Sequence, residues 1–199
     1  MTLSEKKRLA ILDAAETLFH QQGVEQTSMD QVSSEAGVSK RTVYNHFATK
    51  QVLFEAILAR MFEQLSKGVD KPFNASRDIA EQLTEIAGQE VALLTSPQLL
   101  RIAKIAFMQM LQQPELMQSL DNTDIGCMTA LVQFLQEANS AGVLMVEDCD
   151  FAARQFVYQL KAFTFYPKLY GFSALENADE QSVIEETVKM FVARYGSVH

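Results

Sequence analysis

The chain is poor in the residues that staple or punctuate a fold. Two cysteines in 199 residues, Cys127 and Cys149, cannot build a disulfide framework. The expectation is a reduced, cytoplasmic protein whose thiols act as small buried hydrophobes. Its three histidines, His20, His46 and His199, are scattered, and no spacing of His, Cys or acids suits a metal. A G-x-S-x-G elbow and a glycine-rich phosphate loop are both missing, and no motif marks an acid such as Glu85 or Glu90 as a general base. The sequence therefore gives no catalytic residue, metal or cofactor, which disfavours an enzyme. No apolar run approaches the ~18–20 residues of a bilayer span. The opening MTLSEKKRLA has charge but no apolar segment behind it, so neither a signal peptide nor a membrane partner is expected. Only eight glycines and four prolines interrupt the chain, and no stretch alternates apolar and polar for long. Strand signals are absent, leaving an all-helical reading.

What is present is unevenly spread. Overall the chain carries 17 Lys and Arg against 25 Asp and Glu, a net charge of −8. Residues 1–50 are neutral, with six cations and six acids, so the remainder supplies the whole excess of acid. Half of those six cations, Lys40, Arg41 and Lys50, fall in VSKRTVYNHFATK beside a tyrosine, an asparagine and a histidine. Such asymmetry points to two jobs in two segments.

Helical spacing and stop signals predict a first helix over residues 4–22, with Leu9, Leu12, Ala15, Leu18 and Phe19 on one face and Gly23 ending it. Ser28 and Gln31 form a capping box for a short second helix that Gly37 closes. Ser39 caps a third helix reaching Phe47, and Thr49 caps a fourth over residues 50–67. A Gly/Pro/Asn/Ser cluster at 67–76 reads as a linker. Later helices are expected over 77–94, from Pro97 to about 112, from Pro114 with a break near DNTD, over 125–141, 150–166 and 179–195.

The second and third helices, joined by a tight glycine turn, have the form of a helix-turn-helix. At about 100° per residue, Val43 and Phe47 fall about 40° and about 80° from Ser39 and make one apolar stripe. Asn45 lies opposite, with Arg41 and Thr42 near it and Lys40, Tyr44 and His46 on the flanks. This helix would dock through Val43 and Phe47 and turn its donors outward, a face suited to the major groove of DNA. Lys and Arg donate to guanine there, while Tyr44, His46, Lys50 and the helix start at Ser28 suit the flanking phosphates.

The stretch from Leu12 to Leu58 also resembles the DNA-binding domain of the TetR transcriptional regulators. The likeness rests on A-x-x-L-F with its following glycine, Thr27-Ser28, AGVS and Y-x-H-F-x-x-K. It implies that Lys40, Arg41 and Thr42 meet base edges, while Ser28, Tyr44, Asn45, His46 and Lys50 hold phosphates. Val32-Ser33 departs from the family's Ile-Ala, and Lys40-Arg41 is bulkier and more basic than the usual pair. QQPEL, the Ala-Gly-Val-Leu turn at 141–144 and FAARQFVYQL resemble the AefR-type regulatory domain.

The resemblance implies an N-terminal three-helix DNA-binding domain over 1–50, a connecting helix over 50–67, and a helical ligand-binding and dimerisation domain over 68–199. It implies a cavity for an apolar or amphipathic effector, for which Met61, Phe62, Phe107, Met108, Leu111, Met128, Phe134 and Phe163 are the candidate lining. Each of these also fits an ordinary core. Phe156 and Leu160, with Ile184, Val188, Phe191 and Tyr195, form seams expected to meet a second copy, the alternative being one intramolecular core. The function implied is a ligand-responsive regulator, a repressor that grips a palindromic DNA operator as a homodimer. The rival is a helical ligand-binding or interaction module without DNA binding, which the retained cations argue against.

Overall fold

A computed structural model describes residues 1–66, 72–112, 127–171 and 179–197, with backbone alone at Phe62, Gln64, Leu65, Ser66, Met110, Gln112 and Cys127. The described residues are helical, with no strand among them. The helices are α1 Leu3–Gln22, α2 Met29–Glu35, α3 Lys40–His46, α4 Lys50–Ser66, α5 Ile79–Leu94, α6 Pro97–Gln112, α7 Cys127–Ser140 and α8 Cys149–Leu160. A π-helical turn, Lys161–Phe165, follows α8, then α9 Tyr166–Tyr170 and α10 Glu180–Tyr195. The expected start at Pro114 and break near DNTD lie outside the described residues.

Packing divides the chain into two compact units. One comprises Met1–Met61 and Arg101–Asn122, the other Phe62–Leu100 and Thr123–His199. Two of the divisions fall inside α4 and α6.

In the first unit, α1 begins at a capping box. Thr2 accepts from the Glu5 backbone N–H, and Glu5 accepts from that of Thr2. Its buried face is Ile11, Leu12, Ala14, Ala15 and Phe19. Leu9, expected on that face, is 39% exposed, because Ile11 rather than Leu9 centres the stripe. Phe19 meets Phe54 of α4 edge to face, centroids 6.5 Å apart. Leu53 and Ile57 are fully buried beside them in the sequence of α4.

In the second unit, α5 packs on α10 and α8, and α8 packs on α7 and α10. Leu83, Ile86, Leu135, Phe156, Leu160, Ile184 and Phe191 belong to one buried cluster. Phe156 and Phe191 meet edge to face at 5.2 Å. α5 begins at Ile79, two residues later than expected, since Asp78 caps it through the Glu81 N–H. Arg77 stays outside the helix and pairs with Glu85 at 2.6 Å. The buried Gln82 side chain ties down the preceding segment, accepting from Asn74 N at 2.9 Å and donating to Asn74 O at 3.0 Å. The chain's end is pinned by Met145 N, which donates to Tyr195 O at 2.7 Å.

The expected straight helix over 150–166 is corrected. It gives way at Lys161 to the π-turn, which inserts one residue into the helical period. Thr164 and Phe165 are buried in consequence, and Phe163, which continues the Phe156–Leu160 face in a straight helix, is 40% exposed.

Candidate nucleic-acid interface

The helix-turn-helix is built from local hydrogen bonds that the sequence dictates. Ser28 Oγ accepts from Gln31 N at 3.2 Å, and Ser28 N donates to Gln31 Oε1 at 2.8 Å. α2 stops at Glu35, and Gly37 takes φ 63°, the left-handed region where a side chain is strained. A Cβ at Gly37 would meet nothing within 4 Å, so this glycine serves the backbone angle rather than a close approach. Val38 N then donates to Ser33 O at 3.1 Å, closing the turn. Ser39 Oγ accepts from Thr42 N at 3.2 Å and starts α3.

Val43 and Phe47 are buried, as the stripe predicts. Burying two such side chains contributes about 1.5–3 kcal/mol each. The Arg8 guanidinium of α1 lies 5.1 Å from the Phe47 ring centroid and covers its outer face. The opposite side of α3 is open. Arg41 and Asn45 are exposed, and Tyr44 is 50% exposed. Arg41 makes no ion pair among the described residues. Thr42 is half-buried with its hydroxyl 2.8 Å from Ser39 Oγ. His46 is half-buried with its ring against Phe47. Lys40 pairs with Asp30 of α2 at 2.6 Å. Lys50 Nζ donates to Glu25 O at 2.9 Å, fastening the start of α4 beside the segment before α2. Three cations and a phenol thus stand on or beside a short helix whose other face is anchored.

The expected effector lining is not gathered in one unit. Met61, Phe107, Met108 and Leu111 belong to the first, Met128, Phe134 and Phe163 to the second. Met61 is buried, whereas Met108 and Leu111 are exposed. The Phe62 side chain lies outside the described residues. Phe134 is core, stacked edge to face with Phe73 at 5.6 Å. Two open grooves, of about 630 and 520 Å³, lie along the segment around Phe73 in the second unit. Phe134 is the single member of the expected lining found there, in the smaller groove.

The residues of the expected dimer seam also pack within the single chain. Phe156, Leu160, Ile184, Val188 and Phe191 are all buried within one chain, and they close the core between α8, α5 and α10. Tyr195 is half-buried and donates to Gln155 Oε1 at 2.6 Å. Period alone cannot distinguish a seam facing a neighbouring helix of the same subunit from one facing a second copy.

Comparison with known families supports the reading of the reading head. Residues 11–57 match the bacterial regulatory proteins of the tetR family, and residues 81–197 match the C-terminal domain of AefR-like transcriptional repressors. The second match alone spans more than half of the chain. The chain belongs to the TetR family.

This TetR-family transcriptional regulator is therefore not an enzyme. A crystal structure of a TetR family transcriptional regulator from Pseudomonas syringae pv. tomato str. DC3000 is 33% identical, with a TM-score of 0.80 over 98% of this chain and 99% of that one. The flavonoid-responsive regulator FrrA is 28% identical, with a TM-score of 0.78 over 98% and 100%. Among curated proteins, the transcriptional activator FasR of Mycolicibacterium smegmatis is 33% identical over 79 residues, 40% of this chain and 36% of FasR. The chain thus spans little more than a third of that relative's length. Two contributors to the TetR-family head escaped sequence reasoning. Asp30 pairs with Lys40 of α3 and Arg8 lies over Phe47 just past its end, and nothing in local period joins residue 30 to 40 or 8 to 47.

Proposed function

We propose that this regulator binds duplex DNA through α2 and α3 and represses transcription until a small apolar or amphipathic molecule releases it. The observation that carries the reading is α3 itself: Val43 and Phe47 are buried, while Arg41, Tyr44 and Asn45 stand exposed on the other side. In this reading Lys40, Arg41 and Thr42 meet base edges, with the Thr42 methyl offered to thymine because its hydroxyl is engaged with Ser39. Ser28, Tyr44, Asn45, His46 and Lys50 hold phosphates on either side. Residues 1–50 form the reading head, 50–67 the connection, and 68–199 the part that binds effector and partner copy.

Repression follows the AefR-like description of the C-terminal match. An effector of flavonoid-like character follows FrrA, which is named for that response. A second copy supplies the second reading helix, and two such helices about one turn apart, ~34–36 Å, suit a palindrome. An effector that favours a different spacing lowers DNA affinity by its preference between the two conformers.

Binding of fluorescent duplexes across a salt series tests the core of this reading. The logarithm of affinity should fall by about 0.9 per phosphate contact for each tenfold rise in salt. Lys50→Ala should weaken all sequences alike, and Arg41→Ala should relax preference at one base position. Indifference of the wild-type protein to any duplex at low salt would refute the reading. An equal loss on every sequence for Arg41→Ala would remove that residue from base recognition.

A further inference from the structure

An acid stands on the reading face itself. Asp30, the second residue of α2, places Oδ2 2.6 Å from Lys40 Nζ, with the two side chains 56% and 65% exposed. Both ends of the pair are set by backbone. Ser33 Oγ donates to Asp30 O at 2.8 Å, and Ser39 caps the helix that Lys40 begins. Three other acids of the first fifty residues have partners elsewhere. Glu5 completes the α1 cap, and Asp13 and Glu16 hold Arg60.

An ion pair this exposed contributes little to folding. A carboxylate beside the groove also repels the phosphates the head must approach, so it lowers general affinity for DNA. Its main effect falls on the lysine. A free lysine is a compact charge on a flexible four-carbon stem, able to reach a phosphate as easily as a base. Bonded to Asp30, the ammonium keeps two further N–H groups for acceptors, but its charge is offset and its position fixed.

We propose that Asp30 is the positioning residue for Lys40, holding its ammonium away from phosphates and at the base edges, so that the pair raises sequence discrimination by lowering sequence-independent affinity. This rests on the DNA-binding reading above. Acceptors that complete the lysine's remaining donors, as guanine O6 and N7 do, are favoured over a phosphate that must compete with the carboxylate.

The test compares wild type, Asp30→Asn, Lys40→Ala and the double variant on two probes across a salt series. One probe is a pool of random-sequence duplexes; the other is the set of duplexes that wild type enriches from that pool. Asp30→Asn should bind random duplexes about tenfold tighter at low salt, with a salt slope steeper by about 0.9, as one more phosphate is neutralised. Its ratio of enriched to random affinity should fall about tenfold, with the loss concentrated at one base pair. In the Lys40→Ala background the same change should leave the slope and the base preference unmoved. An equal steepening with and without Lys40 would make Asp30 a general repulsive charge and overturn the proposal. Unchanged discrimination in Asp30→Asn would do the same. If wild type binds no duplex and enriches none, the DNA-binding reading itself falls, and this proposal with it.

Discussion

Glu16 is an acid almost without solvent contact on α1, its side chain 6% exposed. Its carboxylate accepts from Arg60 Nη2 of α4, and Arg101 Nε of α6 lies 3.7 Å from its other oxygen. Asp13, one turn earlier on α1, takes Arg60 Nη1 at 2.6 Å. Three helices of the first unit thus meet at one charge cluster, and Arg60 Nε remains buried there without a hydrogen bond. A buried pair adds little net stability over apolar residues of the same shape, but removing one partner strands the other. Arg60→Ala should therefore cost about 3–5 kcal/mol, placed toward the low end because Arg101 remains near Glu16. Replacing Glu16 and Arg60 together by Leu and Met should recover most of that loss. Denaturant melts of the two variants decide it: a single variant as stable as wild type would show that water already reaches Glu16.

At the scale of elements, the parts that local chemistry sets were legible in advance. Ser28 with Gln31, and Ser39, each accept from an N–H three residues on and mark the helix starts the sequence predicts. Asp148 and Asp179 cap α8 and α10 in the same way, and these helices begin at Cys149 and Glu180, each one residue from the expected start. These bonds need no distant partner, so sequence spacing is enough to find them. The Val43–Phe47 stripe was legible for the same reason, since both residues lie within one short helix. The π-turn was not. Its extra residue lets Thr164 and Phe165 face the core in place of Phe163, a choice made by packing against α5 and α10 rather than by residues 161–165 alone. Thr164 Oγ1, buried, donates to Leu160 O at 2.8 Å and satisfies a carbonyl where the helical ladder shifts. Thr164→Val keeps the shape and removes the donor, leaving that carbonyl under-satisfied. It should lower unfolding free energy by about 1 kcal/mol, read from the midpoint of a urea melt. No change, or a gain, would mean that the turn holds by packing alone.

For the whole molecule, the decisive matter is which apolar surface is left after the subunit has closed its own core. Phe156, Leu160, Ile184, Val188 and Phe191 are buried inside the second unit of a single chain, where they serve its core. The opposite faces of the same two helices remain: Phe151 is 56% exposed, Tyr158 50% and Met190 58%. The two helices meet beside this surface, where Gln159 Nε2 donates to Met190 Sδ at 3.4 Å. On the function proposed above, two heads must be held together, and we expect this apolar face of α8 and α10 to hold them. Tyr158→Glu with Met190→Glu places four like charges at a two-fold contact, where each copy meets the other's. Both side chains are half exposed in the lone subunit, so the thermal midpoint measured at high dilution should hardly move. Sedimentation should instead show the mass halved, and affinity for an enriched two-site duplex should fall about a hundredfold toward that for random duplex, as linkage of the two heads is lost. A double variant that still sediments as a dimer would place the contact elsewhere on the molecule.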